Sequence, residues 1–217
     1  GYKANVVGRL AAKQTGVRAV AVSRGWTGEN PKVRVYETID RLHLRYMDRV
    51  VCVSQGQARK VRRAGVPPTR ITVIPNAARL TAFDGADTEG REQLESFFKR
   101  PGERIVVGAG RLSREKGVQV LIDAAKRVIA ADPKARFVVF GEGAMRPALE
   151  RMIAEADLSG LFVLPGFRSD LDRIIPAADL FVLPSFTEGL PNVVLEASSA
   201  AVPVVATAVG GTPEVVD

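Results

Sequence analysis

Three short segments hold residue types and spacings that could do chemistry. Gly110-Arg111-Leu112-Ser113-Arg114-Glu115-Lys116-Gly117 follows an apolar run and places two cations, Arg111 and Lys116, in a loop bounded by glycines. Glycine lets the backbone turn tightly and approach a ligand, and the N-terminus of a following helix attracts anions. Together these features suit a diphosphate, with a loop of merely exposed charges as the alternative on this segment alone. Gly141-Glu142-Gly143 ends another apolar run, where two glycines would let backbone amides come close to a ligand. Neither this cluster nor Gly108-Ala109-Gly110 is completed by the third glycine of a dinucleotide fingerprint, which disfavours a nicotinamide enzyme. The richest segment runs from Pro184 to Ala197. Glu188 stands in a turn, Gly189-Leu190-Pro191-Asn192 follow, and Glu196 lies on the next helix. A helix opening at Pro191 or Asn192 offers free amides to a phosphate or sugar oxygen, and a carboxylate accepts well from vicinal hydroxyls.

These segments need a scaffold that presents loops along one edge. Helical periodicity runs from Tyr2 to Thr15, Ala19 to Val22 reads as a strand, and a helix after Pro31 carries Val33, Tyr36, Ile39, Leu42 and Tyr46. Strand Arg49 to Val53, helix Gln55 to Ala64 and strand Ile71 to Ile74 complete a βαβ alternation, its Val- and Ile-rich strands reading as buried on both faces. Residues 77–103 read as an inter-domain connection with a helical turn or two around Glu92 to Phe98. The alternation restarts with strands at Ile105 to Ala109, Phe137 to Phe140, Leu161 to Leu164, Leu180 to Leu183 and Val204 to Ala206. Helices are expected at Val118 to Ala131, Arg146 to Ala156, Asp170 to Ile175, Asn192 to Ala200 and from Pro213. This is an α/β chain: a doubly wound parallel Rossmann-like sheet over 104–217, preceded by the last part of a second Rossmann-like domain over 1–76. Ligands of such sheets bind beyond the carboxyl ends of the strands, where all three segments fall.

Charge divides the chain in the same place. Residues 1–80 hold 16 Lys or Arg against 4 Asp or Glu, and residues 81–217 hold 15 against 20. The basic part suits an anionic membrane surface or an acidic substrate, a plain solvated face being the alternative. Its helices lack the interleaved aromatic residues of a base-stacking platform, so no nucleic-acid partner is expected. No apolar run reaches the roughly 20 residues that span a bilayer, and no leader pattern is present, so the expected location is cytoplasmic, peripheral to the inner face of the plasma membrane. Cys52 is the single cysteine and reads as a packed thiol, and His43, mid-helix, reads as structural. Asp170-Leu171-Asp172 matches a short metal-binding signature but is explained as the start of a helix capped by Ser169. No metal and no cofactor are expected.

The three segments, in this order and spacing, with Val209-Gly210-Gly211-Thr212-Pro213-Glu214, resemble the retaining GT-B glycosyltransferases of the large bacterial family often called family four. The resemblance spans nearly the whole chain. It implies transfer of a sugar from a nucleoside-diphosphate sugar to a carbohydrate or lipid-linked acceptor with retained anomeric configuration, commonly in cell-surface polysaccharide or glycolipid assembly. It also implies that Arg111 and Lys116 hold the diphosphate, Glu196 the ribose, and Glu188 with amides near Gly189 to Asn192 the donor sugar. Gly110, Gly141 and Gly143 would approach the donor, and Gly166-Phe167-Arg168 would line the base. Three positions depart from the pattern. Ser23-Arg24-Gly25-Trp26 stands where a histidine is usual, Ala77 where glycine usually follows Pro-Asn, and Ser198-Ser199-Ala200-Ala201 where the helix usually ends in Met-Ala-x-Gly. An alanine held left-handed at position 201 would cost about 1 kcal/mol relative to glycine. Rival readings are a nucleotide-sugar-binding module without turnover and, on the same fold, an epimerase or phosphorylase. Gly1 in place of Met, Tyr2 opening a helix with no strand before it, and the stop at Asp217 lead to the expectation of a fragment unable to catalyse transfer alone.

Overall fold

The computed structural model describes residues 2–28, 31–78, 88–99 and 102–216, so the expected connection is described only in part. Contacts group Gly1–Asn76 with Thr187–Pro191 and Ala208–Asp217 in one compact unit, and Ala77–Phe186 with Asn192–Thr207 in another.

In the first unit α1 (Tyr2–Thr15), β1 (Val20–Ser23), α2 (Pro31–Leu44), β2 (Arg49–Cys52), α3 (Gln55–Arg63) and β3 (Ile71–Val73) alternate, and the strands form a parallel sheet in the order β1-β2-β3. Val20 pairs with Arg49 and Val50 with Ile71. Ala21, Leu44, Met47, Val50, Cys52 and Val61 make its core, and burial pushes the Cys52 thiol up to about 11, as expected of a packed side chain. The start of α3 is closed twice. Ser54 Oγ accepts from the Gln57 N–H at 3.0 Å, and the Glu214 carboxylate accepts from the Gln55 and Gly56 N–H groups at 2.9 and 2.8 Å, satisfying amides that a helix cannot pair internally.

Two expectations fail in this unit. β1 is buried on one face only, with Val20 61% and Val22 46% exposed. The apolar stripe of α2 is only partly covered, with Val33 and Tyr36 half-buried and Ile39, Leu42 and, just beyond the helix, Tyr46 exposed, whereas Glu37, Asp40 and Leu44 form the buried face. Glu37 accepts from the Thr27 N–H at 2.6 Å and the Gly28 N–H at 3.2 Å, and Asp40 from Asn5 Nδ2 at 2.7 Å and Trp26 Nε1 at 3.1 Å. Burying a carboxylate is tolerable when donors surround it, and these donors come from a loop that helical periodicity cannot reveal.

The second unit holds α4 (Thr88–Ser96), β4 (Arg104–Ala109), α5 (Val118–Ala131), β5 (Ala135–Phe140), α6 (Arg146–Glu155), β6 (Phe162–Gly166), α7 (Leu171–Ile174), β7 (Leu180–Leu183), α8 (Asn192–Ser199) and β8 (Val204–Ala206). Its strands are parallel in the order β6-β5-β4-β7-β8, so the winding reverses between β4 and β7. Phe137 and Phe162 stack at 5.8 Å beneath Leu121, Ile122 and Leu149. α4 begins earlier than expected and docks by Leu94, which is fully buried, and by Arg91, which donates to Asp179 at 2.7 Å. The final helix is a single 3-10 turn over Thr212–Glu214, in the first unit. Ala201 has φ +57°, so the left-handed cost is realised, whereas Ala77 is not among the residues with positive φ.

Candidate functional site

Ligands of doubly wound sheets bind beyond the carboxyl ends of the strands. In the second unit a cleft of about 390 Å³ lies beyond the carboxyl ends of β4, β5 and β6, lined by Gly110, Arg111, Gly141, Glu142, Phe167 and Arg168, with Val193 from the first turn of α8. Five residues singled out from the sequence, Gly110, Arg111, Gly141, Phe167 and Arg168, thus share one cavity. Lys116, Gly143 and Glu196 are not in its lining.

The loop after β4 is rigidly built. Gly110 N–H donates to the Phe140 carbonyl, Leu112 N–H to the Glu142 carbonyl and Met145 N–H to the Leu112 carbonyl, each at 2.9 Å. This cross-bracing explains Gly141 and Gly143 differently from the sequence reading. A Cβ on Gly141 would collide with the Gly110 carbonyl and one on Gly143 with the Leu112 carbonyl, and the Gly141 N–H donates to the Gly166 carbonyl at 2.8 Å. The close approach made at both glycines is between protein backbones. Arg111 is exposed, and Lys116 is half-buried with its stem near Gly110. Lys116 ends a 3-10 turn, and Gly117, with φ +69°, closes it where a Cβ would strike the Pro184 carbonyl. Glu115, missed from sequence, is buried, accepts from Ser113 Oγ at 2.6 Å and takes the Phe186 N–H on its carbonyl at 2.8 Å. The cationic loop is thereby fastened to Pro184–Phe186.

Phe167 is 73% exposed at the end of β6, an uncovered aromatic face beside the cleft. Arg168 donates to Asp170 by Nε at 2.8 Å and Nη2 at 2.6 Å. That hydrogen-bonded pairing raises Arg168 above its ordinary value and holds the Asp170 carboxyl below the usual range. The Ser169 cap expected at this place is absent. Asp170 itself occupies the capping position of α7 without a side-chain cap bond, because its carboxylate is engaged by Arg168. Glu196 on α8 is half-buried, and burial, then the negative charge of Asp172, raises its carboxyl above the usual glutamate range.

Glu188 belongs by contacts to the first unit, in a turn built mainly from backbone. Gly189 is packed so that a Cβ would meet the Arg24 carbonyl, and a Cβ on Gly210 would meet the Glu188 carbonyl. The Gly189 carbonyl accepts from the Gly211 N–H at 2.7 Å and Ser54 Oγ at 3.0 Å, the Leu190 carbonyl from Asn76 Nδ2 at 2.9 Å. Leu190 and Pro191 are buried, and Asn192 is exposed at the start of α8 in the second unit. Arg24, on the loop that replaces the usual histidine, contributes its carbonyl to this packing. His43 Nδ1 lies 2.9 Å from the Ile39 carbonyl one turn earlier, a local contact in keeping with a structural role.

Comparison with known proteins bears on what these sites do. The family model described as glycosyl transferases group 1 matches residues 103–217, and the one described as glycosyl transferase 4-like domain matches residues 1–77. The chain is 28% identical over 96% of its length to UDP-Gal:alpha-D-GlcNAc-diphosphoundecaprenol alpha-1,3-galactosyltransferase of Escherichia coli, covering 56% of that protein. It is 33% identical over 72% of its length to alpha-D-kanosaminyltransferase of Streptomyces kanamyceticus, covering 41% of it. It therefore spans about half the length of these relatives. Among solved structures, Anabaena HepE in complex with UDP-glucose superposes with a TM-score of 0.86 at 25% identity over 100% of this chain and 60% of that one. Sucrose-phosphate synthase from Thermosynechococcus elongatus gives 0.79 at 24% identity, over 97% and 55%. The likeness to these structures assigns the α/β fold of the GT-B type.

Proposed function

Because the chain belongs to the family of glycosyl transferases group 1, we propose that the protein transfers a sugar from a nucleoside-diphosphate donor to an acceptor hydroxyl, with retained anomeric configuration. The observation that carries this reading is the cleft beyond the carboxyl ends of β4, β5 and β6, which gathers an exposed aromatic face, Arg111 and two glycine loops. Phe167 offers its ring to the base, Arg111 and Lys116 their charge to the diphosphate, Glu196 two acceptor oxygens to the ribose, and Glu188 the same to the donor sugar. The relatives support a nucleotide-sugar donor, since one is named for UDP-Gal and one neighbour was solved with UDP-glucose.

In the proposed reaction the bond between C1 of the sugar and the diphosphate oxygen breaks, and the electron pair stays on that oxygen. Arg111 and Lys116 neutralise the charge as it develops, a fixed electrostatic contribution that helps most in the transition state. The acceptor oxygen bonds to C1 from the face the diphosphate leaves, and its proton passes to the departing diphosphate. This assigns the leaving group to side-chain cations, so a chelator should leave turnover unchanged. Titration with nucleoside diphosphates and their sugars, followed by transfer to a lipid-linked saccharide, tests the reading. Donor binding indifferent to Arg111→Ala would overturn it, and mutation-sensitive binding with no transfer to any acceptor by the complete protein would favour a binding module.

We further place the reaction at an anionic lipid surface, in polysaccharide or glycolipid assembly on the cytoplasmic side. Its support is electrostatic. α1 and α2 carry Lys3, Arg9, Lys13, Lys32, Arg34 and Arg41, while the two carboxylates of α2, Glu37 and Asp40, are turned inward. Among the described residues no helix is long and apolar enough to cross a membrane. Each cation near such a surface contributes about 1 kcal/mol, and salt screens it. Co-sedimentation with phosphatidylglycerol vesicles that is absent, or that ignores salt, would reject this placement.

A further inference from the structure

The turn that carries Glu188 is aimed by residues far from it in sequence. Within the first unit, Ser54 Oγ–H and the Gly211 N–H both donate to the Gly189 carbonyl, and Asn76 Nδ2 donates to the Leu190 carbonyl. A trans peptide is planar, and its carbonyl and N–H point in opposite directions. Fixing the Gly189 carbonyl toward Ser54 and Gly211 therefore turns the Leu190 N–H away from them. That N–H makes no hydrogen bond among the described residues, although Leu190 is buried. Without a hydrogen bond to another described residue, this N–H is available to a ligand. Asn76 fixes the following peptide plane, which ends in Pro191 and supplies no N–H of its own. We propose that Ser54 and Asn76 are positioning residues that set the peptide planes of the Glu188–Pro191 turn, and so the aim of the carboxylate and amides already proposed to hold the donor sugar. The inference rests on the proposed role of Glu188 in holding that sugar.

Three features of the structure favour this over simple scaffolding. The two side chains hold successive carbonyls of the turn, so each sets one peptide plane. Gly189 is closely packed on the other side, where a Cβ would strike the Arg24 carbonyl. Ser54 is fully buried and shares its hydroxyl oxygen with the Gln57 N–H, so its hydrogen is directed at the Gly189 carbonyl while the oxygen caps α3.

The test is calorimetric titration of the full chain with matched pairs, UDP with UDP-glucose and GDP with GDP-mannose. Losing one aimed hydrogen bond should weaken the sugar nucleotide about fivefold in Asn76→Ala and in Ser54→Ala, and leave the nucleoside diphosphate within about twofold. Ser54→Ala also removes the α3 cap, so Asn76→Ala, which leaves that cap in place, is the decisive variant. Asn5→Ala removes one hydrogen bond of the same unit, to Asp40, and should leave the ratio of the two affinities unchanged. Equal losses for both ligands in Asn76→Ala, no loss for either, or the same change of ratio in Asn5→Ala would overturn the inference alone. A wild-type chain that binds neither pair would overturn the functional reading and this inference with it.

Discussion

All six residues of β5 in the second unit are buried, whereas β1 in the first alternates, with Ala21 at 1% exposure between Val20 at 61% and Val22 at 46%. Both segments are rich in Val and Ala, and both lie in parallel sheets. Apolar composition qualifies a strand for burial on two faces, but a second layer of structure has to be present to cover each face. The helices show the same contrast. α5 buries Val118, Leu121, Ile122 and Ala125, the stripe its sequence advertises, while α2 buries two carboxylates and leaves Ile39 and Leu42 of its apolar stripe exposed.

The contrast can be broken most directly by truncating equivalent side chains. Ile105→Ala, at a fully buried position of β4, should cost about 3 kcal/mol, whereas Val20→Ala should stay within about 0.5 kcal/mol. Hydrogen exchange read separately in each unit checks this, and equal losses would mean that the exposed face of β1 is covered in solution. A functional counterpart compares exposed cations. In the full-length enzyme Arg111→Ala should lower turnover at saturating donor about a hundredfold, and Lys126→Ala, on α5 outside the cleft lining, should not change it. Near-normal turnover in Arg111→Ala would remove the charge role from the cleft.

A smaller effect separates the two carboxylates, which belong to different units. Glu196→Ala should weaken nucleotide and sugar nucleotide alike by about tenfold, and Glu188→Ala only the sugar nucleotide. Burial and Asp172 raise the Glu196 carboxyl, so its folded form holds a proton more tightly than the unfolded chain does. The ionised form therefore costs stability above that raised value, and the cost is relieved as pH falls toward the ordinary glutamate range. If the ionised form is the one that accepts from ribose, affinity follows the opposite course and declines as pH falls through the raised value. Glu196→Gln should flatten both dependences in titrations and denaturation curves. The smallest expected effect is at a helix end. Ala201→Gly should stabilise by about 1 kcal/mol by relieving the left-handed backbone, and Ala77→Gly, where φ is not positive, should give no gain on denaturation.

Much of this was legible in the residues. The strand and helix alternation, the α/β class and the cleft-side placement of Gly110 and Arg111 follow from apolar periodicity and from glycine and charge at strand ends. These are local properties, set within a dozen residues by backbone sterics and solvent. The second unit reads well because its strands are covered and its loops are braced by near neighbours. Phe167 and Arg168 were reached only through the resemblance to the family, and the exposure of the Phe167 ring is a finding of the structure.

Tertiary structure decided the rest, wherever a partner lies far away in sequence. The buried face of α2 depends on the Thr27 and Gly28 amides, the Trp26 indole N–H and the Asn5 side chain, which no periodicity reports. The purpose of Gly141 and Gly143 depends on the carbonyls of another loop, and the engagement of Asp170 on Arg168 displaced an equally plausible cap. Glu214 closes α3 from more than 150 residues away, and Ser54 and Asn76 reach a turn more than 110 residues on. A sequence states which polar groups exist. Which donor meets which acceptor is fixed only when chain segments distant in sequence are brought within about 3 Å, the range at which a hydrogen bond forms.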